Sequence, residues 1–512
     1  MISRRKFLGA AGLAAAWPGA AWPQPNPKPK AKAKADKKAD KKGKGDKPEG
    51  FLVNDVHAQL SSTLVFKIVE SDSLDAVRGA FLLARREERT ICIAGGRHAM
   101  GAQQFGADGV LIDTRKLNQV LDFDAERGTI EVEAGVQWPR LYEFLESGQR
   151  GRDKQWTFAQ KPDGVDRTTI GGCLSANAHG RGLAMPPLVA DIESFKLVDA
   201  RGELRSCSRE ENADLFRLAI GGYGLFGFVY SVKLRLQPRR KLERVSELRA
   251  VDGLAGAFAE RFSDGFLYGD LQLSTDDKSP DYLRQGVFTC YRGKPADTPM
   301  PTARQALDGK DRLDLMVLAH SNKAAGFKRY AEHYLANSGQ LYWSDEQQMS
   351  PYTDNYHREL DRRLQAPKGT DVMTEICCER EGLERFMAEV RQYALREGVE
   401  IVQASVRVIE QDKESFLAWA RRPYACVTFN VHLEHSTRGM IRAGDAFRRL
   451  IDIGLRYGGS YYPTYHKHAL RRQVDACFPQ LAEFLKLKLK YDPGEFFQSD
   501  WYRHYKNMFS IK

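Results

Sequence analysis

An α+β fold, split between a nucleotide-cradling half and a sheet covered by helices, follows from three features of this 512-residue chain. The first is a short apolar run, Ile91 to Ala94, that breaks at Gly95-Gly96 and continues as Arg97-His98-Ala99-Met100. It reads as a buried strand ending where only glycine reaches positive φ cheaply. Successive backbone N–H groups in such a turn converge on an anion. The second is the glycine-rich stretch Thr168 to Leu183, which keeps small polar groups and one histidine. The third is the change of pattern after residue 238, where short strands and helices give way to longer amphipathic helices between strands.

The elements follow in order. Ser71 or Ser73 caps a helix whose Leu74, Val77, Phe81 and Ala84 share a face, and Thr90 to Ala94 follows as the strand into the cradle. Thr129 to Ala134 alternates cleanly as a strand, and Trp138 to Leu145 reads as a helix with Pro139 in its first turn. Phe195 to Asp199 and Phe228 to Leu236 add strands. Between residues 239 and 459, Leu383, Phe386, Met387, Val390 and Ala394 form one helical face. Met440, Phe447, Ile451 and Leu455 form another, which stops at Gly458-Gly459. The strands Ile401 to Ile409 and Cys426 to Leu433 lie between them. Gln285 to Met373 is poor in pattern and yields no firm elements. A tyrosine-rich strand follows Gly459, then a helix that ends before the turn Tyr491-Asp492-Pro493-Gly494.

The net charge of +11 is not spread evenly. Residues 1–49 carry thirteen Lys/Arg against four Asp/Glu, which leaves a surplus of only two for the rest of the chain. The basic pI therefore does not argue for a nucleic-acid partner. Ser3-Arg4-Arg5-Lys6-Phe7-Leu8, followed by a short apolar stretch, has the form of a twin-arginine export signal over residues 1–22. That implies the twin-arginine translocase as partner and a periplasmic or secreted location. The apolar stretch is too short for a transmembrane span. Residues 23–50 form a lysine-rich linker with too little apolar surface to offset ordering. The eight cysteines show no staple framework and read as small buried hydrophobes.

The cradle at Gly95–Met100, the stretch at Thr168–Leu183, Ala219–Val229 and Lys490–Gln498 together resemble the vanillyl-alcohol oxidase family, with its PCMH-type FAD-binding domain. Within it, Gly96-Arg97-His98 is most similar to the loop of alditol and aldonolactone oxidases. The resemblance implies an FAD domain over 51–238, a substrate cap over 239–459 and a terminal segment over 460–512 that returns to the FAD domain. It implies cofactor contacts at Gly95, Gly96, Arg97, His98, Ala99, Met100, Gly171, Gly172, Ser175, Asn177, His179, Gly180, Gly222, Gly224, Gly227 and Val229. His98 is either a loop histidine bonded to backbone or the residue that carries covalent FAD. Cys173 does not match the position of a second flavin bond, so no cysteinyl link is expected.

For chemistry, the resemblance points to Lys467 as a fixed cation at the flavin, with His466 beside it and Glu375 on a cap strand against the substrate. The spacing Tyr462-Pro-Thr-Tyr-His-Lys467 departs from the family's pattern. The implied activity is hydride transfer from a carbinol, meaning a polyol, sugar or aldonolactone, to FAD, and then to oxygen or a redox acceptor. The alternatives are a dehydrogenase passing electrons to a quinone or cytochrome, and a catalytically silent flavin-binding module. His432-Leu-Glu-His435 and His466-Lys-His468 offer metal-ligand pairs without a third ligand in sequence, so no metal is expected.

Overall fold

The computed structural model describes residues 50–350 and 356–511. The export signal and nearly all of the lysine-rich linker fall outside them. Three strands form a parallel sheet with Val110–Asp113 in the centre, flanked by Lys67–Glu70 and Ile91–Ala94. The helix Leu74–Arg86 begins at Ser73, whose side chain accepts from Ala76 N, and buries Val77, Ala80, Phe81 and Ala84. Beside this lies an antiparallel sheet in the order Leu204–Ser208, Ile192–Val198, Phe228–Pro238, Thr129–Glu133, Val120–Asp124. Trp156–Phe158 pairs with the far end of Phe228–Pro238.

The remainder is organised on one eight-stranded sheet. Its order is Leu341–Trp343, Lys241–Ala250, Gln285–Lys294, Phe266–Leu273, Ile401–Ile409, Tyr424–Glu434, Gly369–Cys378, Ser460–Tyr461. Pairing across it is antiparallel, and Glu375 stands opposite Thr428, which stands opposite Ser405. Because side chains alternate along each strand, this register separates two faces. Val372, Ile376, Val427, Phe429, Val431, Ala404 and Val406 are buried on one of them. The helix Thr437–Arg456 packs there closely enough that a Cβ on Gly454 would sit 2.5 Å from Ile376. The other face carries Met373, Glu375, Thr428 and Arg407, and turns toward the glycine-rich turns.

The two halves are stitched together. Leu183 N donates to Leu267 O and Gly269 N to Arg181 O, each at 2.9 Å. Asn177, left-handed at the end of the helix Ile170–Ala176, is completely buried. Its Nδ2 donates to Asp412 Oδ2 at 2.8 Å, and its Oδ1 accepts from Val189 N at 3.0 Å. Losing that side chain would strand partners at a cost of about 1–3 kcal/mol each. The last segment pairs with the cradle strand: Ile91 N donates to Phe496 O at 2.7 Å and Gln498 N to Ile91 O at 2.8 Å.

Three expectations need correcting. The tyrosine-rich segment pairs only at Ser460–Tyr461, because Pro463 lacks the N–H a longer ladder requires. Those two residues also make the cap sheet extend past 459. The helix expected before Tyr491 is two helices, Arg471–Cys477 and Leu481–Tyr491, divided at Phe478-Pro479. Gln285–Met373 holds the strand Gln285–Lys294 and the helices Gly309–Ser321, Lys323–Ala336 and Tyr356–Leu364. Gly309–Ser321 buries no residue fully, so no apolar stripe marked it in the sequence.

Candidate active site

Between the glycine-rich turns and the polar face of the cap sheet lies a cleft with an empty volume, open mouth included, of about 1320 Å³. Gly95, Gly96, Arg97, His98 and Ala99 line one side, with Gly171, Gly172, Ser175 and His179 next to them. Gly224, Gly227 and Val229 line it too. The glycines are required by close packing: a Cβ on Gly95 would lie 2.1 Å from Thr169 Oγ1, and one on Gly96 2.3 Å from Arg167 O. Arg97 itself takes a left-handed φ of 60° to complete the turn. From the cap sheet come Met373, Arg407 and Thr428, and from the terminal segment Tyr462, Thr464 and Tyr465.

Four of the expected cofactor residues stand behind this lining. Met100 N donates to Thr464 O at 3.2 Å, Gly180 N to Gln160 Oε1 at 3.1 Å, and Asn177 makes the clamp described above. Gly222 packs on the Leu218 carbonyl, 2.1 Å from where a Cβ would be. Cys173 reaches the cleft but is buried, and Trp138 Nε1 donates to its sulfur at 3.4 Å.

His98 Nδ1 lies 2.8 Å from His57 Nε2. Burial, with the positive charge of Arg167, pulls His98 down to about 4, so its ring is neutral at ordinary pH. His57 is held by Asp55, whose buried carboxylate accepts from the backbone N–H groups of His57, Ala58, Gln59, Leu60 and Ser61. Sequence reading missed this pair. Its trace was the Asp55-Val-His57 spacing, an aspartate folding the next few amides onto itself.

The three residues expected to do chemistry are separated by the sheet. Glu375 is buried at 1% exposure and lies 3.0–3.2 Å from His179 Nε2 through its two oxygens. His179 Nδ1 is 3.1 Å from the Gly180 carbonyl, which fixes a proton on Nδ1. Burial pushes the Glu375 carboxyl up, but His179, Arg407 and the Tyr465 hydroxyl together hold it below its ordinary range. His466 lies on the other side of the sheet, its Nε2 2.9 Å from Thr374 Oγ1 and its ring stacked on Phe447 at 4.5 Å. Thr374 alternates with Glu375, so anything bonded to it faces the helices rather than the cleft. Lys467 is half-buried in the electrostatic field of Asp500 and is not part of the lining.

From the cap sheet, Arg407 puts a cation on the cleft wall, which the apolar reading of its strand concealed. Its guanidinium bonds Asp163 Oδ2 at 3.2 Å, and among the described residues its Nε has no hydrogen-bond partner. Burial works against its charge, while Asp163 and Glu375 raise it further and keep it ionised. Arg97 is placed similarly, paired with Asp113 at 2.9 Å while its buried Nε is unspent.

Residues 67–208 match the family model described as an FAD binding domain. Cytokinin dehydrogenase 9 of Oryza sativa subsp. japonica is 28% identical over 253 residues, covering 47% of this chain and 45% of its own. L-gulonolactone oxidase of Mus musculus is 29% identical over 174 residues, covering 34% and 38%. L-galactono-1,4-lactone dehydrogenase 2, mitochondrial, of Oryza sativa subsp. japonica is 29% identical over 255 residues, covering 48% and 42%. The chain thus spans less than half the length of these relatives. The lining fits an FAD: the cradle is backbone and glycine, and both of its arginines keep an orphaned buried N–H.

Proposed function

We propose, for a chain whose residues 67–208 are an FAD binding domain, an oxidoreductase that oxidises the CH–OH group of a polyol, sugar or aldonolactone. One observation carries the reading. The cleft lined by both glycine-rich turns is also lined by Arg407, Tyr465 and His179, with Glu375 directly behind. When bound, FAD supplies a hydride acceptor. Gly95–Ala99, Gly171, Gly172, Ser175, Gly224, Gly227 and Val229 would hold it.

The chain's own residues supply the proton chemistry. Tyr465 stands on the cleft wall, and its hydroxyl is among the groups that lower the Glu375 carboxyl. A substrate hydroxyl at Tyr465 gives up its proton as the Tyr465 proton passes to the ionised Glu375, a general-base relay. His179 fixes the carboxylate. Arg407 stabilises the negative charge that grows in the cleft as hydride leaves, the role sequence reading gave to Lys467. Oxygen or another redox acceptor would take up the electrons. L-gulonolactone oxidase and L-galactono-1,4-lactone dehydrogenase, both similar to this chain, are named for either outcome.

Losing one preplaced donor costs about 3 kcal/mol in the transition state. Arg407→Met is therefore expected to slow anaerobic flavin reduction by roughly a hundredfold or more with flavin still bound, while Lys467→Met stays within a few-fold of wild type. The reverse pattern would return the role to Lys467.

His98 is the proposed point of covalent attachment. Its ring is neutral and therefore nucleophilic, and His57 at 2.8 Å is placed to exchange a proton with it. Acid precipitation is expected to leave yellow flavin in the pellet, and His98→Ala to release it. Flavin wholly in the wild-type supernatant would contradict the bond.

We also infer export by the twin-arginine route, which the sequence around Arg4-Arg5 supports. Replacing both arginines with lysine should leave folded, flavin-loaded protein in the cytoplasm. An unchanged periplasmic yield would argue against export by this route.

A further inference from the structure

A second cluster of chemistry-bearing side chains sits on the cap sheet, apart from the residues that line the cleft. Asp371 lies on Gly369–Cys378, directly opposite His432 on Tyr424–Glu434. Asp371 Oδ1 is 2.9 Å from His432 Nδ1 and 3.0 Å from His320 Nε2, the latter delivered by the last turn of the helix Gly309–Ser321. One donor atom from each of the three residues lies within 4.8 Å of the others. The side chains of Asp371 and His320 are 4% and 6% exposed, so the group is withdrawn from water.

The hydrogen bonds around it constrain what can lie between these atoms. His320 Nδ1 is 2.9 Å from the Met316 carbonyl, so that nitrogen carries a proton and Nε2 is the lone-pair nitrogen of the neutral ring. That lone pair faces a carboxylate oxygen that a second imidazole also approaches. A positive species is needed between them, either an extra proton or a metal ion. A backbone carbonyl holding the far nitrogen is the usual arrangement behind a metal-bound histidine. Asp371 is oriented in the same way, since Tyr356 OH donates to its Oδ2 at 2.7 Å.

Two further observations favour an ion. Among the described residues, His357, 6% exposed, has no hydrogen-bond partner for either ring nitrogen, and its electrostatic neighbours include Asp371, His320 and His432. An unpartnered imidazole so deeply buried is costly unless it has a ligand to approach. Secondly, His432 lies tightly over Gly369, where a Cβ would come within 2.6 Å of its Cε1, so its ring is fixed toward Asp371.

We propose that His320, Asp371 and His432 bind a first-row divalent metal ion, zinc by preference, which pins the helices Gly309–Ser321 and Tyr356–Leu364 to the cap sheet. Two imidazoles and one carboxylate are a zinc donor set, with His357 or solvent to complete four-coordination. The ion has a structural task here. No residue of Gly309–Ser321 is buried as a whole, so it lacks the apolar stripe that holds the other long helices, and the His320 side chain is its polar anchor. Sequence reading paired His432 with His435 and found no third ligand. The partners are instead Asp371 across the ladder and His320 from a helix 112 residues away by number.

The test uses the full-length, flavin-loaded protein. It is stripped with a chelator, dialysed, and titrated with Zn²⁺ or Co²⁺, with metal content read by mass spectrometry and Co²⁺ by its visible bands. About one equivalent should be retained, with Co²⁺ bands of a four-coordinate N/O site that Zn²⁺ abolishes. Chelation should speed amide exchange in residues 309–321 roughly tenfold or more. His320→Ala with His432→Ala should lose the metal while keeping its flavin spectrum, and His468→Ala should keep both. Less than about a tenth of an equivalent in the reloaded wild type, or uptake unchanged in the double variant, would overturn the site. Should the double variant fail to fold, the Co²⁺ spectrum and chelator-dependent exchange of the wild type decide alone: an octahedral, exchangeable ion with unchanged amide protection would mean adventitious binding.

Discussion

The contact between His179 and Glu375 is the constraint on which the site depends. His179 belongs to the glycine-rich stretch and Glu375 to the cap sheet, and both are buried. With one imidazole nitrogen turned to the Gly180 carbonyl, the second meets the Glu375 carboxylate, so each group is the other's polar partner. Removing either partner leaves a buried polar or charged group alone, a cost of several kcal/mol that neither half could absorb on its own. The contact therefore fixes how the two halves meet, and hence what faces the cleft.

The register of the cap sheet does the rest. Glu375 and Thr428 are matched across the ladder, and alternation puts them on the face away from the covering helices. A one-residue slip would turn Glu375 toward Phe447 and bring Thr374 into the cleft. The helix Thr437–Arg456 prevents it, because Gly454 is seated on Ile376. Around the pair, charges are arranged in couples such as Arg407 with Asp163 and Arg97 with Asp113, which keep cations on the cleft wall without leaving them isolated. Metal binding at Asp371, four residues along the same strand and face as Glu375, would stiffen that strand from its far end.

What could be read from the sequence was what local physics dictates. The strand Ile91–Ala94 was legible from its apolar run, although the left-handed φ expected at Gly95-Gly96 falls on Arg97 instead, and Ser73 was legible because a capping hydroxyl precedes a clear apolar stripe. Twelve of the cofactor residues that the family resemblance implied line the cleft, six of them glycines. Glu375 was legible only as a polar residue in an apolar strand, and His179 gave no sign of its partner. Arg407 was hidden inside the apolar run Ile401–Ile409. Lys467 and His466 were implied by the family resemblance, yet after the strand ends at Tyr461 it is Tyr462, Thr464 and Tyr465 that reach the cleft, while His466 bonds Thr374 on the helix side, an arrangement that depends on tertiary packing. The helix Gly309–Ser321 was invisible because it buries so little, although its capping pair Asp308 and Asp311 was present in the sequence.

The central claim is that the Glu375–His179 pair receives the proton of a CH–OH substrate in the cleft beside the flavin. It is tested most directly by mixing wild type and Glu375→Gln anaerobically with a panel of polyols, sugars and aldonolactones and following flavin bleaching. The account predicts bleaching of the wild type by at least one of these compounds, and a rate lower by roughly a hundredfold or more in Glu375→Gln with flavin retained. Equal rates in the two proteins would contradict the role of the pair, and no bleaching by any compound would contradict the activity itself.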